Sequence, residues 1–82
     1  MEQQIQEITQ MIALLVNDVT IPKNIRKALT DATERLKTDE EMNVRASAAV
    51  YLIESVSDDI NMPAHARTQL WAILSRLESL KH

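Results

Sequence analysis

Glycine and cysteine are both absent from this 82-residue chain, phenylalanine is absent too, and proline occurs twice. Each absence excludes something. Without cysteine there is no disulfide framework and no thiolate metal site. Without glycine no Gly-rich loop can cradle a phosphate, and the tight hairpins of a β-rich fold lose their preferred turn residue. Aromatics are reduced to Tyr51 and Trp71, and no apolar run approaches the roughly 18 residues a membrane span needs. The opening MEQQIQEITQ is acidic and polar where a signal peptide would be basic. A cytoplasmic chain is the expectation.

What remains is Ala, Leu, Ile, Glu, Arg, Lys and Gln, mostly strong helix formers. The length is that of one small domain, 1–82, with a thin core. The net charge of −3 is opposite in sign to what phosphate binding favours. Basic residues nevertheless gather in KNIRKALTDATERLK at 23–37, followed by the acidic TDEE at 38–41. Charged solvent faces of helices account for this patterning.

Apolar spacing predicts four helices. Ile5, Ile8, Ile12, Leu15 and Val19 recur at steps of three and four, widened by Met11 and Val16. Asn17-Asp18 marks the end of that helix, with Asn17 suited to a left-handed conformation. Pro22 is expected at the first position of a second helix, whose stripe is Ile25, Ala28, Leu29, Ala32 and Leu36. Lys27, Asp31 and Arg35 line its outer face at spacing four. Thr38 to Glu41 has the form of a capping box and places the third helix start there. That helix carries Val44, Ala48, Tyr51, Leu52 and Val56, and Ala46, Ala49, Val50 and Ile53 fill most of its remaining circumference. Such a helix is expected to be central and packed on more than one side. Pro63 opens the fourth, with Ala66, Leu70, Ile73, Leu74, Leu77 and Leu80 inward.

NDVTIPKNIR and DDINMPAHAR fall 41 residues apart. The same shift sets Ile12 on Ile53, Asp18 on Asp59, Pro22 on Pro63, Arg26 on Arg67 and Leu36 on Leu77. The expected architecture is therefore an all-α four-helix bundle of two helical hairpins, about 3–37 and 39–80, stacked face to face. Asp18 with Arg26, and Asp59 with Arg67, are expected to clamp the two loops beside Pro22 and Pro63. Such a pair contributes about 0–1 kcal/mol when exposed.

Two resemblances follow from these residues. Asp39, Val44, Arg45, Ala48, Ala49 and Leu52 have the spacing of the inner helix of a HEAT-type repeat, over about 14 residues. That resemblance implies HEAT-like hairpins, with Asp39 and Arg45 in a structural ladder. The whole chain resembles the uncharacterised archaeal protein family 0147. IPKNIRKA at 21–28, VRASAA at 44–49 and NMPAHARTQLWAILSRLE at 61–78 carry that likeness. The family resemblance implies an all-helical fold and an archaeal cytoplasm. It brings no activity and no functional residues.

Chemistry has few parts to use. His82 is terminal and expected to fray. His65 could reach Asp58 and Asp59 across its loop, but no further metal ligand stands at helical spacing. The carboxylates of Asp39, Glu40 and Glu41 suit a helix N-terminus, and the serines have no histidine partner. No cofactor, metal or catalytic residue is assigned, and catalysis is not expected. The leading expectation is a helical protein-interaction or scaffold module, self-associating or bound to another protein, with Tyr51, Trp71 and Leu74 as candidate contacts. Trp71, at the edge of its stripe, suits either core rim or interface. The alternative is an RNA- or ribosome-associated accessory protein using Lys23, Arg26, Lys27 and Arg67, which have no stacking aromatics beside them.

Overall fold

In a computed structural model, which describes residues 2–81, the chain forms four helices. They are α1 (Glu2–Val16), α2 (Lys23–Leu36), α3 (Met42–Ser57) and α4 (Ala64–Glu78). His82 lies outside the described residues. Each helix runs closely alongside two others. α1 packs on α2 and α4, and α3 packs on α2 and α4, while among the described residues the diagonal pairs, α1 with α3 and α2 with α4, have no close backbone approach. The four helices thus form a closed ring around one aliphatic core. No described helix is long and apolar enough to cross a membrane.

The predicted stripes supply that core. Ile5, Ile8, Ile12 and Leu15 of α1 meet Ile25, Leu29, Ala32 and Leu36 of α2, and Ala66, Leu70, Ile73 and Leu77 of α4. Ile21 and Met62, each just before a proline, are buried with them. Burial at about 25 cal/mol per Å² of apolar surface makes these stripes the main source of stability. No polar or charged residue is buried among the described ones.

The helix ends differ from expectation in three places. α1 stops at Val16, closed by a tight turn from the Asp18 N–H to the Leu15 carbonyl, and no described residue has a positive φ. Val19 therefore leaves the stripe and is 83% exposed. Pro22 and Pro63 stand one position before their helices, at φ −56° and −60°, rather than inside them. Their carbonyls accept the first intrahelical bonds, from Arg26 and Arg67 at 3.1 and 3.0 Å. The capping box does not form. Glu41 itself precedes α3, and the Thr38 hydroxyl instead donates to the Arg35 carbonyl at the end of α2.

Helix α3 is not the central element its composition suggested. Its backbone runs closely alongside two helices, as that of every other one does. Its inward face is Ala46, Ala49, Val50 and Ile53, with Leu52 and Val56 half-buried, while Val44 and Tyr51 point to solvent. The small inward residues let α3 lie close to α2, the most extensive helix pair in the molecule.

Candidate interaction surface

The two loops between helices of each hairpin meet at one end of the bundle. In each, an aspartate turns its carboxylate back onto the chain two residues later, a habit of Asp in turns. Asp18 Oδ1 accepts the Thr20 N–H at 2.9 Å and its hydroxyl at 2.6 Å. Asp59 Oδ1 accepts the Asn61 N–H at 2.8 Å. The second carboxylate oxygen crosses to the other hairpin. Asp18 Oδ2 lies 2.8 Å from His65 Nε2, and Asn24 Nδ2 donates to Asp59 Oδ2 at 3.1 Å. Asn24 and His65 themselves stand 41 positions apart. The hairpins therefore brace each other reciprocally.

This brace corrects the expected clamps. With their carboxylates occupied, Asp18 and Asp59 do not pair with Arg26 and Arg67. The arginines bind backbone instead. Arg26 Nε donates to the Ile21 carbonyl at 2.9 Å, and Arg67 Nη2 reaches the Asp59 carbonyl at 3.4 Å. His65 faces Asp18 of the first loop, not Asp58 or Asp59 of its own. Among the described residues no three acidic or histidine side chains converge as metal ligands.

The bonds to Thr20 and His65 hold the Asp18 carboxyl down at about 2, from an ordinary 3.8. Asp59 is likewise lowered, by the Asn61 N–H first and then by Asn24. A carboxylate favoured by the fold contributes stability above its unfolded value and loses it as pH falls through its folded one. Asp18→Asn is therefore expected to be less stable than the parent at neutral pH. That gap should close as pH falls from 3.8 towards 2, the interval bounded by the two Asp18 values. Chemical denaturation across that pH range reads the gap directly, and a pH-independent gap would contradict the brace.

Arg45 serves the opposite end of α2. Its side chain is 11% exposed, donating to the Leu36 carbonyl at 3.2 Å and pairing with Glu2 at 3.4 Å. Asp39 lines the same surface groove but does not ladder with Arg45, because the guanidinium is taken by the α2 terminus and α1. Arg76 pairs with Glu7, tying α4 to α1. Lys27 pairs with Asp31 at 3.1 Å, whereas Arg35 turns to Glu40 at 4.0 Å rather than to Asp31.

The basic face of α2 is not a free cationic stripe. Lys23, Arg26 and Lys27 line a groove that Asp31 and Glu34 also line. Arg26 is tied to the loop, and Lys27 to Asp31.

The apolar surface lies elsewhere. Trp71 is 61% exposed and Tyr51 73% exposed, so Trp71 is not a core residue. Leu74 is half-buried against the core. Val19 and Ile60, at matching positions of the two braced loops, are also exposed. The sequence reading missed that second pair. Its signal was present in the 41-residue register, which sets one aliphatic residue on another between an aspartate and a proline.

Residues 1–80 match the Uncharacterised protein family (UPF0147). A UPF0147 protein of Methanocaldococcus jannaschii is 42% identical over 81 residues, covering 98% of this chain and 87% of its own. One from Pyrococcus furiosus is 42% identical over 82 residues, covering 98% and 88%. Among solved structures, that of the unknown function protein MMP1188 superposes with a TM-score of 0.91 at 39% identity, covering 96% of this chain and 91% of its own. A structure from the same uncharacterised family in Thermoplasma acidophilum gives 0.90 at 32% identity, covering 98% and 95%. The names of these relatives assign no activity and lend no support to an RNA-associated role. Four helices around an aliphatic core, in a chain matched over nearly its whole length by archaeal relatives, make this protein a member of the UPF0147 family.

Proposed function

We propose that the protein is a non-enzymatic helical interaction module, working in the cytoplasm. One observation carries this reading. The core is complete with aliphatic side chains, yet both aromatics of the chain stand outside it, on α3 and α4. Trp and Tyr are the residue types that most often anchor protein contacts. Covering an exposed tryptophan with a partner removes its apolar surface from water, which favours association.

The HEAT-like kinship of the hairpins belongs to the same proposal. It rests on the matching helix bounds and loop positions of the two halves. A HEAT array would stack one hairpin on the next by translation and leave open ends. Here the ring of contacts closes after two hairpins, so a scaffold role would use the outer faces of α3 and α4 rather than added repeats.

Affinity capture from native lysate, after nuclease treatment and at raised salt, tests the reading. The parent chain should retain protein partners that Trp71→Thr loses by at least about tenfold, the scale of a hot-spot residue. Folding stability should change by no more than about 0.5 kcal/mol, as for other exposed positions. Equal capture by parent and variant would remove the basis of the proposal.

A further inference from the structure

The two hairpins carry opposite reliefs at matching positions. Between α1 and α2 runs a groove of about 350 Å³, lined by Gln10, Ala13, Val16, Thr30 and Thr33, with Lys37 on its rim. Forty-one residues on, those positions hold Tyr51, Glu54, Ser57, Trp71, Leu74 and Glu78. Short side chains leave the first flank open. The matching flank of α3 and α4 instead carries the two exposed aromatics and half-buried Leu74. The repeat register thus sets a furrow on one hairpin against exposed aromatics, which would form a ridge, on the other.

Charge differs in the same sense. Ala13 and Asn17 of the groove correspond to Glu54 and Asp58, both exposed, and Lys37 corresponds to Glu78. Val16 and Thr30 also line the adjoining groove that holds Lys23, Arg26 and Lys27. Asp31 and Glu34 line that adjoining groove too, so three cations face two carboxylates there, and Lys37 adds a further positive charge. Glu54 and Asp58 give the matching flank a negative excess, whereas Glu78 is paired with Lys81 at 3.3 Å.

We infer that the Tyr51–Trp71 ridge of one copy docks into the α1–α2 groove of a second copy. This rests on the interaction-module reading and names the partner as the chain itself. Opposite reliefs and opposite charge on two flanks of one molecule are complementary, and complementary charge favours encounter in that register. The contact is heterologous, so every copy keeps one groove and one ridge, and assembly runs to a ring or a filament. Full burial of an aromatic side chain covers about 150–250 Å². At the exposures found, the two aromatics leave roughly 200–300 Å² to cover, a fraction of the about 800 Å² per partner of a stable interface. Each contact is accordingly weak, salt-sensitive and concentration-dependent.

Sedimentation of the full chain over a concentration series, at low and high salt, tests the inference. The parent's average mass should rise with concentration and fall back with salt. Trp71→Thr and Tyr51→Gln install the first hairpin's own residues at the matching positions, and Thr30→Trp fills the groove. Each should weaken self-association at least about tenfold. The decisive sample is a mixture of Trp71→Thr, which keeps an open groove, with Thr30→Trp, which keeps an intact ridge. Neither assembles alone, and together they should form a one-to-one pair. A parent that stays monomeric throughout, or variants that fail to pair, overturns self-docking. If the parent is monomeric but Trp71→Thr still loses captured partners, only self-docking fails and a foreign protein occupies the ridge. If capture is also indifferent to Trp71, the interaction reading fails with it.

Discussion

Ile12→Ala and Ile53→Ala are each expected to destabilise the protein by about 2–5 kcal/mol, through lost transfer energy and an unfilled cavity. Both isoleucines are fully enclosed, at matching positions of the two hairpins, one on α1 and one on α3. Total stabilities of single domains run to about 5–15 kcal/mol, and a chain of this size belongs at the lower end because it buries a smaller share of its surface. Either truncation therefore removes a large part of what holds the fold. Urea denaturation should show a lowered midpoint with an unchanged slope, since native and unfolded surfaces alter little. Leu14→Ala is the control, for Leu14 is largely exposed and its loss should cost no more than about 0.5 kcal/mol. A parent-like midpoint for both isoleucine variants would mean that the two hairpins do not share one cooperative core.

Enlarging the inward face of α3 should be damaging in the opposite way. Ala46 and Ala49 are fully buried, and the matching positions of α1 are Ile5 and Ile8, also buried. The hairpins are alike in layout but not in side-chain volume. The same exchange recurs between Ile25 and Ala66 and, reversed, between Ala32 and Ile73. Where α3 meets α2 the alanines allow a close approach, and a close-packed interior leaves no room for added methylenes. Ala46→Ile and Ala49→Ile are each expected to cost about 1–3 kcal/mol by overpacking, even though each installs the residue its sister helix uses. Thermal and urea denaturation measure the loss. An Ala49→Ile protein as stable as the parent would show free volume beside α3, and the account of its close contact with α2 would be abandoned.

Much of the fold was legible because helical periodicity is local. The stripe Ile5, Ile8, Ile12, Leu15 is a statement about spacing along eleven residues, and it needs no knowledge of the partner helix. The prolines at 22 and 63 bracket their helices for an equally local reason, a fixed φ and a missing N–H. The errors came where local rules met competition. Thr38 could cap α3 or close α2, and the chain uses it to close α2. Val44 and Tyr51 fit an apolar face of α3 as well as Ala46 and Ala49 do by composition, so periodicity alone could not choose between them.

The candidate surface was less legible than the core. Tyr51, Trp71 and Leu74 were singled out by residue type, but the choice between core rim and surface for Trp71 was made by packing, which leaves it 61% exposed. The loop aspartates were singled out by the repeat. Their partners were misread because His65 is 47 residues from Asp18, and Asn24 is 35 from Asp59. By itself the sequence determined four helices, the inward stripes of α1, α2 and α4, and a duplicated plan, because backbone geometry ties those features to spacing. The tertiary structure alone decided that the ring closes after two hairpins, that the brace runs between loops, and that both aromatics face water. Those outcomes turn on distances between segments far apart in the chain, and on carboxylates with too few oxygens to satisfy every neighbour.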